Sequence, residues 1–450
     1  MILRNSLNFI GQFLEKINNK FQNIYLNSNF YNKKISKIYK KDLVYKPSPH
    51  LLSSLIKYQA QKININDISI ENLWENENIE IKNFRKLNNF NWFFTIDLKS
   101  SKKVVQKIVS EWIIKNQNYH EKSWDFDLTS KRIIAWLSNH NLTLDEANKD
   151  YINKFNEMIQ KQTNHLIQQL NNSKKIDDKI IGCAAIILVG LCYKEEKKYL
   201  SYGLNLLKKI SNLTLDNQGF TKSRSINQLI FYLKYYILIR EWFKEAQVEI
   251  PEIINESIFY LGQGYAFIWQ NLNSDVLMNG NNISNNIEFD QYLKRFGYIF
   301  KNENKDFGGY TILNNKKISL IMDIGASPPS KFSSEYQSGA LSFEIISNGK
   351  KLISNCGYYN GKNNKLIKLS KSTANHNTLI IDDTSSCQYK KSGQNYLLYD
   401  NLKILKKNIV FEKNYWKINA SHDGYSKKFN TTHERVIEFY PEQYKFMGTD

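Results

Sequence analysis

Ser372-Thr-Ala-Asn-His-Asn-Thr-Leu-Ile-Ile-Asp-Asp383 is the stretch whose reading decides the fold. A polar run carrying one histidine passes into Leu379-Ile380-Ile381 and stops at an Asp-Asp pair. A short apolar, β-branched run closed by turn residues predicts a strand. The reading places that strand over residues 377–381 and puts His376 at its start.

Similar runs flank it on both sides. Upstream lie Gly308-Gly-Tyr-Thr-Ile-Leu313, Ile318-Ser-Leu-Ile-Met-Asp-Ile324, residues 340–346 and residues 351–355. Downstream lie 396–399, 408–411, 416–420 and 434–440. Asn314-Asn-Lys, Ser347-Asn-Gly and Asn360-Gly-Lys separate several of them and supply turns. Many short strands at regular spacing predict an antiparallel β-sandwich over residues 291–450. The sequence stops directly after a strand, so further strands are expected beyond Asp450.

Before about Glu288 the period is helical. Residues 104–116 carry apolar side chains at 104, 105, 108, 109, 112, 113 and 114. Residues 131–137, 152–170, 203–213 and 253–269 continue the pattern, and the apolar run 229–243 predicts a buried helix. Six or more helices in series predict an all-α array over 51–290. Residues 1–50 form a basic segment, with Leu7, Ile10, Phe13, Leu14 and Ile17 at helical spacing, closed by Pro47 and Pro49. That helix is expected to dock on the rest of the chain.

The chain has 450 residues, a net charge of +19 and a pI near 9.4. Such a field favours polyanions. Only seven of the 62 basic residues are Arg, and Lys, Asn and Ile are abundant throughout, so compositional drift explains the charge at least as well. No zinc-finger spacing or RNA-binding aromatic motif occurs, and no nucleic-acid partner is expected. Aromatic residues make up 14% of the chain, enough for both core packing and sugar-stacking platforms. The four cysteines include no CxxC pair; Cys183 and Cys192 sit in an apolar run and read as buried thiols. No signal peptide is visible and the longest apolar run is too short to span a bilayer. By sequence alone the protein reads as cytoplasmic.

Together with Ser338-Gly-Ala-Leu-Ser-Phe-Glu-Ile-Ile-Ser-Asn-Gly349 and Leu352-Ile-Ser-Asn-Cys-Gly-Tyr358, the opening stretch resembles the core strands of the heparinase II/III-like family. Phe90-Asn-Trp92, Lys131-Arg-Ile-Ile-Ala-Trp-Leu137, His422-Asp-Gly-Tyr425 and His433-Glu-Arg435 add to the likeness. The resemblance implies an incomplete (α/α) toroid followed by an antiparallel β-sandwich, in a bacterial protein of the periplasm or cell envelope. It also implies a carbon–oxygen lyase that cleaves an acidic, uronate-containing polysaccharide by β-elimination. The alternative is a glycan-binding or envelope scaffold protein of the same fold with little or no catalysis.

By that resemblance His376, with Tyr425 or Tyr232 and with His422, carries proton transfer. Arg224 and Arg435 sit at the uronate, with Gln228, Gln337 and Asn355 also lining the substrate. Several positions depart from the family. Its His-x-His-x-Asp signature falls on Glu335, Gln337 and Gly339, and the zinc-completing Asp falls on Asn355. Neutral amides bind zinc weakly, so no metal and no other cofactor are expected. The family's proton-donating Tyr falls on Gln228, and Tyr232 lies one helical turn on, on the same face. Its Asn-His pair falls near Asp177-Asp178.

Overall fold

The computed structural model describes residues 17–18, 20–37, 43–56, 74, 81–97, 99–193, 197–272, 274–282, 287–361, 363–393 and 395–450. The amphipathic pattern at Leu7, Ile10, Phe13 and Leu14 lies outside the described residues. The chain is helical at first and then forms antiparallel sheets. It divides into two compact units, residues 1–210 with 235–251 and residues 211–234 with 252–450. The units cut across the change of period, because the helix Ile226–Glu245 runs from the second unit back into the first.

In the first unit two helices start where a polar side chain satisfies an open N–H group. Asp125 accepts from Asp127 N at the head of Phe126–Ser138, and Asn148 accepts from Tyr151 N at the head of Lys149–Gln169. The helix Ile176–Cys192 is buried over nearly all of its length, with Cys183 and Cys192 as free thiols inside it. Trp112, Trp124 and Trp136 are almost wholly buried in this unit. Arg132 lies among them with its guanidinium 3.9 Å from the Trp112 ring centroid, donating to the Asn88 and Ser123 carbonyls and to Gln162 Oε1. Planar donors stacked on an indole, with the Asp125 carboxylate favouring the cation, offset the cost of burying this charge.

In the second unit, β1 (Asp306–Phe307), β2 (Tyr310–Asn314), β3 (Ile318–Asp323), β4 (Phe343–Ser347) and β5 (Lys350–Ile353) form a five-stranded sheet in that order. β6 (Gln388–Ser392) pairs with β7 (Asn395–Asp400). β8 (Ile404–Phe411), β9 (Trp416–His422), β10 (His433–Tyr440) and β11 (Lys445–Thr449) form a four-stranded sheet. Every pairing is antiparallel. Alternate side chains of the two larger sheets meet in one apolar core: Leu320, Met322 and Ile345 from the first, Trp416, Ile418, Ile437 and Phe439 from the second.

Two local expectations fail. A helix, Asn364–Lys371, interrupts the strand series; Asn363 caps it by accepting from Lys365 N and Leu366 N. The strand expected over 377–381 does not form. His376 instead ends a 3-10 turn, Thr373–Asn375. The Asn377 side chain replaces the missing ladder: its Oδ1 accepts from Phe343 N at 2.9 Å and its Nδ2 donates to Phe343 O at 2.6 Å. One amide can mimic a paired residue because it holds a donor and an acceptor side by side.

Candidate functional site

All nine candidate residues proposed from the family resemblance lie in the second unit. Arg224 has φ +59° and places its guanidinium among backbone carbonyls. Nη1 donates to Gly325 O at 3.0 Å, Nη2 to Gly309 O at 2.8 Å and to Asp323 Oδ1 at 2.8 Å. Longer bonds reach Gly308 O and Ala326 O. All five N–H groups therefore end on protein acceptors. Asp323 Oδ2 accepts from Asn279 Nδ2, which also donates to Tyr310 Oη, and Tyr310 Oη donates back to Arg224 O. The network ties the start of the helix Ile226–Glu245 to β2 and β3.

Gln337 is equally occupied. Its Oε1 accepts from Gly280 N, and its Nε2 donates to Gly357 O and Ser370 O. Next to it, Glu335 Oε2 accepts from Ser225 Oγ at 2.6 Å, and burial raises its pKa. Lys371, which sequence reasoning did not single out, is buried and donates to Tyr336 O at 2.9 Å and Ser333 O at 3.3 Å. Burial pushes its amine down to about 7, partly offset by Glu335. No periodic or motif signal separates it from the other lysines of its helix.

His376 differs from these residues. The residue is 9% exposed, and neither ring nitrogen makes a well-formed hydrogen bond among the described residues, although the Ser370 carbonyl lies close enough to act on the ring. Burial pushes its pKa down to about 4, and the Ser370 carbonyl offsets part of that shift. The imidazole is therefore neutral near pH 7. Ser342 Oγ and Asn355 Nδ2 are also buried without partners. A Cβ built on Gly339 would lie 3.1 Å from both His376 Cγ and Ser342 Oγ, so the glycine leaves the ring and the hydroxyl adjacent. Asn355 joins the same cluster through its Oδ1, which accepts from Asn377 N. Three unengaged polar groups crowded into one buried place can bind a polar ligand.

The second sheet supplies a hydrogen-bond chain. His422 and His433 are register partners on β9 and β10. Gly424 N donates to His422 Nδ1, so the His422 proton sits on Nε2, 3.1 Å from His433 Nδ1. His433 then carries its proton on Nε2, 2.8 Å from Asp450 Oδ1. Burial first, then His433, pushes the His422 pKa down to about 3. Arg435 holds Asp450 through both carboxylate oxygens and donates to Leu341 O and Asn377 O. The last bond anchors the segment that carries His376. Tyr425 lies 5.7 Å from His422 by ring centroids, yet its hydroxyl donates to Leu379 O at 2.5 Å. The two rings meet, but each directs its polar atoms elsewhere.

Gln228 and Tyr232 are both buried on the helix Ile226–Glu245, and Gln228 N donates to Ser225 Oγ. Asp177 and Asp178 start the helix Ile176–Cys192 in the first unit. Burial raises Asp178 to about 6, with Asp127 and Asp125 adding to the shift. Among the described residues no group of three His, Cys, Asp or Glu side chains is placed to hold a metal. The residues at the zinc positions do not fit that ion: Gly339 has no side chain, Gln337 is bonded on both sides, and Asn355 offers an amide.

Helices followed by antiparallel sheets are the architecture of the heparinase fold. Residues 304–450 match the model of the Heparinase II/III-like, C-terminal family. Among solved structures it is similar to a heparinase III, with a TM-score of 0.62 and 15% identity over 92% of this chain and 73% of that one. It is also similar to the heparan sulfate lyase HepC from Pedobacter heparinus, with a TM-score of 0.54 and 12% identity over 91% and 69%. At such identity the likeness is one of fold. A comparison with curated proteins gave no match. No helix among the described residues is long and apolar enough to cross a membrane.

Proposed function

We propose that this chain acts on an acidic, uronate-containing polysaccharide by β-elimination. The observation that carries the reading is the neutral His376 imidazole, with no well-formed hydrogen bond at either ring nitrogen, next to the unpartnered Ser342 Oγ and on the segment that bonds Asn355, whose Nδ2 is also unpartnered. β-Elimination needs a base for the proton on the carbon next to the carboxylate, a donor for the charge that develops there, and an acid for the leaving oxygen. His376 takes the proton. Asn355 Nδ2 and Ser342 Oγ donate to the carboxylate. The released electron pair forms the carbon–carbon double bond as the bond to the glycosidic oxygen breaks. The imidazolium then returns its proton to that oxygen. A bound carboxylate beside the ring raises the low His376 pKa and makes the first step easier.

A second reading has its own support. Arg224, Gln337, Tyr425 and Arg435 all direct their polar groups into the protein. A glycan-binding protein without turnover needs none of them at a reacting carbon. One experiment separates the two readings. The protein is incubated with a panel of uronate polymers, and the ultraviolet absorbance of the unsaturated product is followed. The lyase reading expects a steady rise that His376→Ala abolishes while the circular dichroism spectrum stays unchanged. Saturable binding of a polymer with no rise in absorbance supports the scaffold reading and rejects the lyase.

A further inference from the structure

A cavity of about 320 Å³ lies within the first unit, apart from every residue invoked above for elimination. Tyr119, Trp124, Phe126 and His165 form its aromatic wall. The rings contact one another closely: His165 lies 5.3 Å from Tyr119, 5.4 Å from Trp124 and 5.8 Å from Phe126, centroid to centroid. His165 bonds Tyr31 Oη through Nδ1 at 2.8 Å, and burial pushes its pKa down to about 3. The wall is therefore uncharged.

The charged groups at this cavity have one sign. Glu121 and Asp125 line it, and among the described residues no lysine or arginine does. Burial first, then Glu121 and Asp125, pushes the Tyr119 phenol up to about 12. Arg85 bonds Asp125 at 3.1 Å but is shared with Asp127 at 2.8 Å. Side-chain amides complete the lining, Asn172 among them. Arg132 also acts on Asp125, so Asp125 is balanced by protein cations and the exposed Glu121 supplies the negative charge that faces the cavity.

We propose that this cavity binds a cationic amino sugar, a hexosamine with a free ammonium group. Aromatic faces take the apolar side of a sugar ring and also attract a cation. The Glu121 carboxylate selects the ammonium through a charge-assisted hydrogen bond, and the amides match ring hydroxyls. The volume lies at the small end of ligand pockets and suits a single ring. The Glu121 carboxylate repels a uronate, so this site is distinct in chemistry from the one proposed for elimination. The inference holds whether or not the protein is a lyase.

The test is calorimetric titration of the full chain with glucosamine and short chitosan oligomers, beside N-acetylglucosamine, glucuronate and choline. The expected result is saturable heat for the free amines, binding about tenfold weaker for the acetylated sugar, and none for glucuronate. Glu121 is exposed, so Glu121→Gln leaves the fold intact and weakens amino-sugar binding. No saturable heat with the free amines overturns the proposal. Equal binding of the acetylated sugar or of glucuronate overturns it, as does an unaffected Glu121→Gln variant. Choline binding without glucosamine binding rejects the sugar as ligand.

Discussion

Arg224 shows how one side chain can serve two quite different ends. As one of only seven arginines it is a natural partner for a uronate carboxylate. In the fold its guanidinium is enclosed by the carbonyls of residues 308, 309, 325 and 326 and by Asp323. Removing one partner of a buried pair strands the other charge, which costs about 3–5 kcal/mol. Arg224→Ala is therefore expected to lower unfolding stability by about that amount, measured in urea. A substrate clamp at the surface would instead weaken binding and leave the urea midpoint unchanged. His376 is the opposite case, because its ring nitrogens make no well-formed hydrogen bond and only the Ser370 carbonyl acts on them.

At the scale of elements, the segment carrying His376 is positioned by side chains rather than by a ladder. Asn377 grips the end of β4 at Phe343, Thr378 Oγ1 donates to Ala340 O, and Arg435 Nη1 donates to Asn377 O. Asn377→Ala leaves the Phe343 N–H and C=O without their partner. The cost is about 1–3 kcal/mol, the penalty of an unsatisfied buried polar group. The expected sign is faster hydrogen exchange at the Phe343 amide with the core amides of β3 unchanged. An unchanged Phe343 rate would mean that the neighbouring bonds suffice.

For the whole molecule, the proton balance of folding is set partly by two buried groups. Lys371 has its pKa lowered to about 7 from an ordinary value near 10.5. Between those values the unfolded chain binds a proton there that the folded chain does not. Stability from this group therefore rises with pH from about 7 towards about 10.5. Glu335, with its pKa raised from the ordinary carboxyl range, acts in the opposite direction at lower pH. There the folded chain retains the proton longer, and its contribution declines as pH rises. Lys371→Met is expected to flatten the alkaline rise in thermal midpoint measured across buffers of rising pH. A rise that persists in the variant would assign it to other groups.

The order of helices and then strands was legible in the sequence, because side-chain period is a local property set by backbone geometry. The likeness to heparinases was legible for a similar reason, since its motifs are contiguous runs. The strand misplaced over 377–381 marks the limit of local reading. Leu379-Ile380-Ile381 has a strand's composition, yet the pairing that would make it one is taken by the Asn377 amide at Phe343, 34 residues away. The site was legible only as a set of residue types. Arg224 meets Asp323 across 99 positions, and Ser225 meets Glu335 across 110. Nothing in a one-dimensional pattern states which distant acceptor a guanidinium will find. The tertiary structure decided that Arg224 and Gln337 are bonded within the protein while His376 is not. Hydrogen-bond capacity inside a fold is filled by whatever packing brings within about 3 Å.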